Sequence, residues 1–472
     1  MHEWAPQLTQ KRISRAASTL WIGFLFLATI LADSRPATAL PVPKANVRAI
    51  PAFARKYGMP CSSCHEAWPK LSPFGQSFKD NGYQMGNDRD APIFQQPGYW
   101  PVTFRITPMW HRESSNRVQV DGPLGPNTAE GQVTTHGFDY SGLDILTAGT
   151  LAKNISFLLV PSADSTGAFH IESANVRFSN LLNSTWLNIK VGKFELDNLH
   201  SEKRGLTLSG QGGPYQNYHF QPVGESTYAF GLGDNQVGLE WMGHSKNDRT
   251  RLSVSLLSSN DGSPGLPAGR GYDVFLSGSQ AFEAGKLGVQ RIGAFAYIGQ
   301  APTYFQFTSG GGGLAGTGIG NKGFYRAGLI GMWYIKKLDV TTIYFHGWDS
   351  AFLGTNTQAN QPLPTGAQAP AWNGGLFETH YNFNPQLILI NRYELIRMSQ
   401  QAFGPNSATP TPLNVGNIDV FTVGYRYYPF ISTRAGFAFH NEFSIARQRG
   451  VAPVTGLDLT SNSLLAGFDF AF

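Results

Sequence analysis

The chain has 472 residues, of which 54 are glycine, 13% are aromatic and only 14% are charged. Water-soluble domains carry more charge and fewer glycines and aromatics, whereas transmembrane β-barrels need β-formers, aromatic girdles and small turn residues. The formal charge of +5 falls to about +3 once the basic N-terminal stretch is set aside, too little over this length to indicate nucleic-acid binding.

Residues 1–39 read as a cleaved secretory signal. Lys11, Arg12 and Arg15 form its positive region, Thr19 to Ala32 its apolar region, and Ala37-Thr38-Ala39 a cleavage site. The apolar region, at about 14 residues, is short for a membrane helix, and an uncleaved anchor is the alternative. No later segment stays apolar for about 20 residues, so no helical span is expected.

Residues 40–98 form the second unit. Two cysteines in an exported protein usually suggest a disulfide. Here they stand in Cys61-Ser62-Ser63-Cys64-His65, the C-x-x-C-H signature of c-type haem attachment. Two thiols three positions apart on one helical turn reach the two vinyl groups of a haem, and the adjacent imidazole of His65 lies under the iron as proximal ligand. A redox disulfide would sit in a βαβ pattern, which is not visible. A zinc site would need further Cys or His ligands at regular spacing, and none follow. The expected cofactor is therefore one covalently bound haem c. Met85 is the chosen distal ligand, about 20 residues on and after the turn-like Asn81-Gly82-Tyr83. Met59 is too close to Cys61 to fold back. Met109 and His111 are other candidates, and a Met85 with no role or an open sixth position are the alternatives. Phe53, Tyr57, Trp68, Phe74, Phe78 and Tyr83 could wall the haem or simply pack. Arg55 and Lys56 could meet its propionates or stay solvated.

Residues 99–472 alternate apolar and polar at the period of a strand. Strands are expected near 102–111, 138–151, 154–162, 168–179, 185–194, 234–243, 249–258, 271–283, 286–299, 322–335, 336–347, 373–384, 385–398, 417–429, 432–446 and 461–472. Short turns such as Ala152-Lys153, Lys336-Lys337 and Asn384-Pro385 follow the even strands. The other connections are mostly long and rich in Gly, Pro, Ser and Asn. That alternation is the periplasmic-turn and external-loop pattern of outer-membrane barrels, and the last strand ends on the aromatic Phe472. The fold class is all-β, a transmembrane outer-membrane β-barrel of about 16 strands with a short N-terminal helical haem segment at its periplasmic mouth or in its lumen. Connection 195–233 follows the fifth strand. It could fold inward and place Asp197, His200, Glu202, Lys203 and Arg204 at a constriction, or it could be a solvated external loop. The remaining histidines show no ligand spacing, and Gly310 to Gly313 opens no helix and is a loop rather than a phosphate cradle.

The run Ile50-Pro51-Ala52-Phe53-Ala54-Arg55-Lys56-Tyr57-Gly58-Met59-Pro60 before the motif, and Pro69-Lys70-Leu71-Ser72-Pro73-Phe74-Gly75-Gln76-Ser77-Phe78 after it, resemble the fused monohaem cytochrome–porin family of the bacterial outer membrane. Its best-known members are outer-membrane iron oxidases. The resemblance covers residues 50–83, and Cys61, Cys64 and His65 match directly. After Phe-Ala-Arg the iron-oxidase branch usually has Gln-Thr-Gly, whereas this chain has Lys56-Tyr57-Gly58, which looks closer to a broader branch. The resemblance implies single-electron transfer across the outer membrane, from an external donor such as Fe(II) to a periplasmic cytochrome or copper protein. A solute channel with a haem-bearing plug, electron export, and a haem peroxidase are the rival readings.

Overall fold

The computed structural model describes residues 53, 57, 59, 63–67, 70–83, 85, 102–163, 167–222, 230–258, 271–302, 321–357, 361–403, 416–431, 436–451 and 455–471. Residues 1–39, Cys61, Arg55, Lys56, Trp68, Gly310 to Gly313 and Phe472 lie outside these residues. No described helix is long and apolar enough to cross a membrane.

A hairpin of β1 (His65–Ala67) and β2 (Lys70–Leu71) leads into helix α1 (Pro73–Asp80). The barrel strands follow: β3 Val102–Gly122, β4 Gly125–Ala152, β5 Ile155–Ala163, β6 Phe169–Phe178, β7 Asn188–Phe194, β8 Gln236–His244, β9 Thr250–Ser258 and β10 Tyr272–Glu283. They continue with β11 Val289–Pro302, β12 Asn321–Ile335, β13 Leu338–Asp349, β14 Ala371–Asn384, β15 Leu387–Gln400, β16 Ile418–Ile431, β17 Gly436–Gln448 and β18 Leu459–Ala471. Neighbours in sequence are neighbours in space and antiparallel, and β18 closes on β3 with Ala471 opposite Arg105. A closed ring leaves no backbone edge unpaired, the condition for strands to cross lipid.

Each expected strand has its counterpart, displaced by a few residues. The exception is the first pair. β3 and β4 run on through residues expected to form a loop, pairing as far as Gly122 opposite Gly125. This hairpin extends past the last β18 partner, Ser461 opposite Ser115. The polar run His111 to Arg117 interrupts the alternation, and beyond it only Val118 and Val120 alternate with Gln119 and Asp121, too briefly for a reading based on alternation to join them to the strand.

The alternation has a plain physical sense. Along β9, Leu252, Val254 and Leu256 are exposed outward while Ser253 and Ser255 are buried inward. Along β17, Phe439, Phe443 and Ile445 face out while His440, Glu442 and Ser444 face in. Aromatics mark both ends of the outer wall: Phe439 packs on Phe468 toward the start of β17, and Tyr325 stacks on Trp348 at the other end. An apolar band between aromatic girdles around a polar interior suits a lipid surround.

Leu256→Arg puts a charge on the outward face of β9. It should destabilise the barrel by about 2–4 kcal/mol if the position lies near the bilayer midplane. Ser255→Ala, one residue along and facing inward, should cost far less. Urea unfolding in liposomes, followed by heat-modifiable gel mobility, checks the contrast.

Candidate functional site

The sequence around the C-x-x-C-H motif builds a compact local unit. Ser72 caps α1: its hydroxyl accepts from the Gly75 amide at 3.1 Å and donates to the Ser63 carbonyl at 3.1 Å. Pro73 at the first helical position needs no amide partner. The Ser72 amide donates to the Cys64 carbonyl at 2.8 Å, so the cap and the second cysteine of the motif are tied together. Gly75 is required by closeness, since a Cβ there would come within 1.9 Å of the Cys64 carbonyl oxygen. On another face of α1, Phe78 meets Phe53, Tyr57 and Tyr83 at centroid distances of 5.0, 5.7 and 6.2 Å. Phe53 also stacks on Tyr83 at 5.1 Å. The helix stops at Asn81, and the chain turns through Gly82 (φ 69°) and Tyr83 (φ 62°).

Of the motif, Cys61 and Ser62 lie outside the described residues, Ser63 is in a 3-10 turn and Cys64 in a turn. His65 opens strand β1, opposite Leu71, and the regular helix follows the motif rather than carrying it. The cap explains the shift: the Ser72 bonds to Ser63 and Cys64 turn the chain back into a hairpin before α1 begins. Phe74 is 40% exposed and has no part in the Phe53–Tyr57–Phe78–Tyr83 cluster. Met85 is half-buried past the Tyr83 turn. Met109 and His111 lie on β3 of the barrel wall, where Met109 is buried and His111 sits 3.8 Å from Asp139.

Helix α1 docks at the short-turn end of the barrel lumen. Asp80 pairs with Arg251 at 2.5 Å, and Arg177 donates to the carbonyls of Lys79 and Asp80. Ser77 donates to Asp248 at 3.3 Å, and Lys70 pairs with Asp339 at 2.7 Å and Glu66 at 2.8 Å. Arg177, Asp248, Arg251 and Asp339 all lie at or beside short turns. Burial opposes ionisation of Asp80, but Arg251 and Arg177 outweigh it and hold the carboxyl below its ordinary range. Burial likewise opposes the Lys70 charge, and Glu66 and Asp339 outweigh it, holding the ammonium above the usual lysine range.

The connection after β7 folds inward and meets the helix from the other side. Glu195 accepts from Lys79 at 2.6 Å, from Arg204 at 3.1 Å and from Ser201. Arg204 also reaches Gln76 at 2.5 Å. Against the cost of burial, Arg204 and Lys79 keep Glu195 well below the usual carboxylate range. Burial, then the nearby Arg204, push Lys79 below the ordinary lysine range. Farther along, the Leu208 and Ser209 amides donate to Glu442 at 2.8 and 3.2 Å, and Arg392 lies 4.7 Å over the Tyr215 ring. Tyr218, Phe220, Phe230 and Leu232 join the inward Phe275, Phe295, Tyr297, Phe345 and Trp372 in one apolar core. The described residues of connection 195–233 therefore fold inward as expected; Glu202 pairs with His219 at 2.8 Å and Lys203 with Glu172 at 3.0 Å, while Asp197 lines the cavity described next.

Between α1, this connection and the wall lies a cavity of about 680 Å³ lined by Glu66, Lys70, His200, Asp339, Glu378 and His380 among others. His200 Nε2 shares a hydrogen bond with the Tyr215 hydroxyl at 2.9 Å, and Tyr215 donates to Glu378 at 3.3 Å. Burial pushes the His200 imidazole down to about 4, so it is neutral at physiological pH.

The local unit fits a covalently held haem in its donor set, a thiol and an imidazole at adjacent positions, and in the glycine-backed approach of a helix to the cysteine. What the sequence did not single out is the clamp: Lys70, Lys79, Asp80, Arg177, Glu195 and Arg251. Its signal was present as arginines at the turn-proximal ends of β6 and β9, where an inward charge needs a partner.

No protein-family model and no curated protein matches the sequence. Among solved structures, the fold is similar to an anion-selective porin from Comamonas acidovorans: 11% identity, TM-score 0.50, covering 79% of this chain and 99% of that one. OprB of Pseudomonas putida (10% identity, TM-score 0.44, 78% and 94% covered) is also similar. So is OmpF of Salmonella typhi (8% identity, TM-score 0.43, 78% and 97% covered). The likeness concerns the closed 16-stranded, porin-type β-barrel fold.

The pH behaviour of the clamp follows from its carboxylates. Groups held below their unfolded values of 3.8 for Asp80 and 4.5 for Glu195 contribute fully above those values and lose the contribution as pH falls through the folded ones. Docking of α1 should thus persist from neutrality into mild acid and loosen only below 3.8. Arg251→Ala should loosen it at neutral pH by on the order of 2 kcal/mol. Hydrogen exchange of the α1 amides reads both effects.

Proposed function

We propose that the chain is a c-type cytochrome fused to a porin-type barrel and that it carries single electrons across the bacterial outer membrane. The observation that carries this reading is Cys61-Ser62-Ser63-Cys64-His65, followed by a helix that backs Cys64 and is clamped in the short-turn mouth of a membrane-type barrel. In this reading the mature protein follows a cleaved signal peptide. Cys61 and Cys64 attach one haem c, His65 is the proximal iron ligand and Met85 the distal one. A haem held there supplies a one-electron Fe(III)/Fe(II) couple.

The protein's own part is positional. The Ser72 cap and Gly75 fix Cys64 and His65 against α1. The clamp on Lys70, Lys79 and Asp80 fixes α1 in the mouth, and the inward connection from Glu195 separates it from the long-loop side. An external donor, with Fe(II) as the proposed one, gives up one electron outside, and a periplasmic cytochrome or copper protein takes one electron away. Oxidation on the outside leaves insoluble ferric products there. Electron export is the same path run backwards.

The porin-type fold favours a second reading, a solute channel in which the haem segment is a plug. Planar-bilayer conductance separates the two. The electron-transfer reading predicts that Arg251→Ala, which loosens the plug, changes conductance without being needed for haem reduction.

Anaerobic stopped-flow mixing of the detergent-solubilised holoprotein with Fe(II) tests the substrate. Growth of reduced c-type bands is expected, and Cys64→Ser should lose covalent haem while the barrel still folds. Reduction by dithionite but not by Fe(II) would overturn the iron assignment. A chain that acquires no covalent haem in a host with c-type attachment machinery would overturn the cytochrome reading.

A further inference from the structure

The two rims of the barrel differ in charge. At the short-turn end the described turns carry six exposed basic side chains, Lys153, Lys246, Arg249, Lys286, Lys336 and Lys337, and one acidic one, Asp248. Asp248 faces inward to Arg251 and Ser77. The nearest further acid, Glu283 at the end of β10, pairs with Arg249. Among the described residues of the opposite rim the signs mix in pairs: Arg117 with Glu130, Arg397 and Arg449 with Asp419, Arg447 with Asp458. Among the described residues the basic excess therefore lies at the end where α1 sits.

Within that collar α1 presents an apolar point. Phe74 is 40% exposed and lies on the helix face opposite Gln76 and Asp80, which point into the lumen. Its neighbour Gly75 touches the Cys64 backbone, so the exposed ring is one residue from the contact with the attachment cysteine. A small apolar centre inside a ring of one charge sign is the anatomy of a short-lived, electrostatically steered protein encounter.

We propose that the short-turn mouth is the docking face for a soluble one-electron protein whose surface around its redox centre is acidic. The inference rests on the electron-transfer reading and adds the charge of the partner and the surface it meets. Steering by the collar raises the encounter rate by about 10- to 1000-fold, and the small contact lets the partner leave. Anionic lipid headgroups are the other acidic surface near such a rim. Lys336, however, lines the cavity beside α1, and the Lys337 ammonium donates to the Phe383 carbonyl at 3.0 Å across the neighbouring turn, which places these charges at the mouth rather than on the outer wall.

The test uses the full-length holoprotein in nanodiscs and two soluble probes, cytochrome b5 with an acidic surface and mitochondrial cytochrome c with a basic one. Binding is read by biolayer interferometry, and electron exchange by stopped flow. Cytochrome b5 should bind at least about tenfold more tightly than cytochrome c, and its affinity should fall at least about tenfold between about 10 mM and about 150 mM salt. The triple change Lys246→Glu, Lys286→Glu and Lys336→Glu should reverse the preference, with dithionite reduction and heat-modifiable mobility unchanged. Phe74→Ser should weaken cytochrome b5 binding without reversing it.

Equal binding of the two probes, or a triple variant that still binds cytochrome b5 normally, overturns the proposal. So does a triple variant whose sole defect is loss of co-purified phosphatidylglycerol, which would make the collar a lipid contact. A protein that prefers cytochrome b5 but whose haem exchanges no electron with it, although dithionite reduces it, keeps the docking face and overturns the electron-transfer reading instead.

Discussion

The carboxylate of Glu195 lies where three parts of the chain meet: Lys79 of the haem-motif helix, Ser201 and Arg204 of the inward connection, and the end of β7 from which Glu195 itself emerges. A charge taken out of water must be matched by others in good geometry, or it destabilises the structure that holds it. Here the match is made across 116 residues of sequence for Lys79 and only nine for Arg204. The inward connection and the helix therefore depend on each other. Without Lys79 the connection has an undercompensated carboxylate, and without Glu195 the helix has a buried ammonium beside Arg204. The outer ring of pairs, Asp80 to Arg251 and Lys70 to Asp339, then fixes the helix to the wall.

The barrel follows from a different constraint. Strands surrounded by lipid must satisfy every backbone group among themselves, and closure does so while leaving the outward side chains to be apolar. The inward side chains are then free to be polar, and the chain uses that freedom to hold charge pairs and a small aromatic core in the lumen. A lumen so filled is a mount more than an open pipe. That agrees with the proposed role, in which the thing carried across is an electron and the protein's task is to keep one group at a fixed depth.

Much of the barrel was legible in the sequence because its signal is local. Leu252, Val254 and Leu256, or Phe439, Phe443 and Ile445, declare their strand by period alone, and the alternation of short and long connections orders the strands in space. The extended hairpin of β3 and β4 was not legible, since the polar run His111 to Arg117 breaks the alternation and only Val118 and Val120 resume it. The shape that follows the C-x-x-C-H motif was not legible: nothing in Cys64 and His65 announces that Ser72 will turn the chain back into a hairpin. The clamp was least legible of all, because Asp80 and Arg251, or Lys70 and Asp339, are single charges far apart in sequence, and only the closed barrel brings them together.

The central claim is tested most directly in proteoliposomes that hold the full-length holoprotein and an entrapped soluble one-electron acceptor, with a membrane-impermeant one-electron reductant added outside. The account predicts that the entrapped acceptor is reduced, and that liposomes bearing the Cys64→Ser protein leave it oxidised. An acceptor that stays oxidised while dithionite still reduces the haem would contradict the account, and would leave a haem-bearing barrel that does not pass electrons across the membrane.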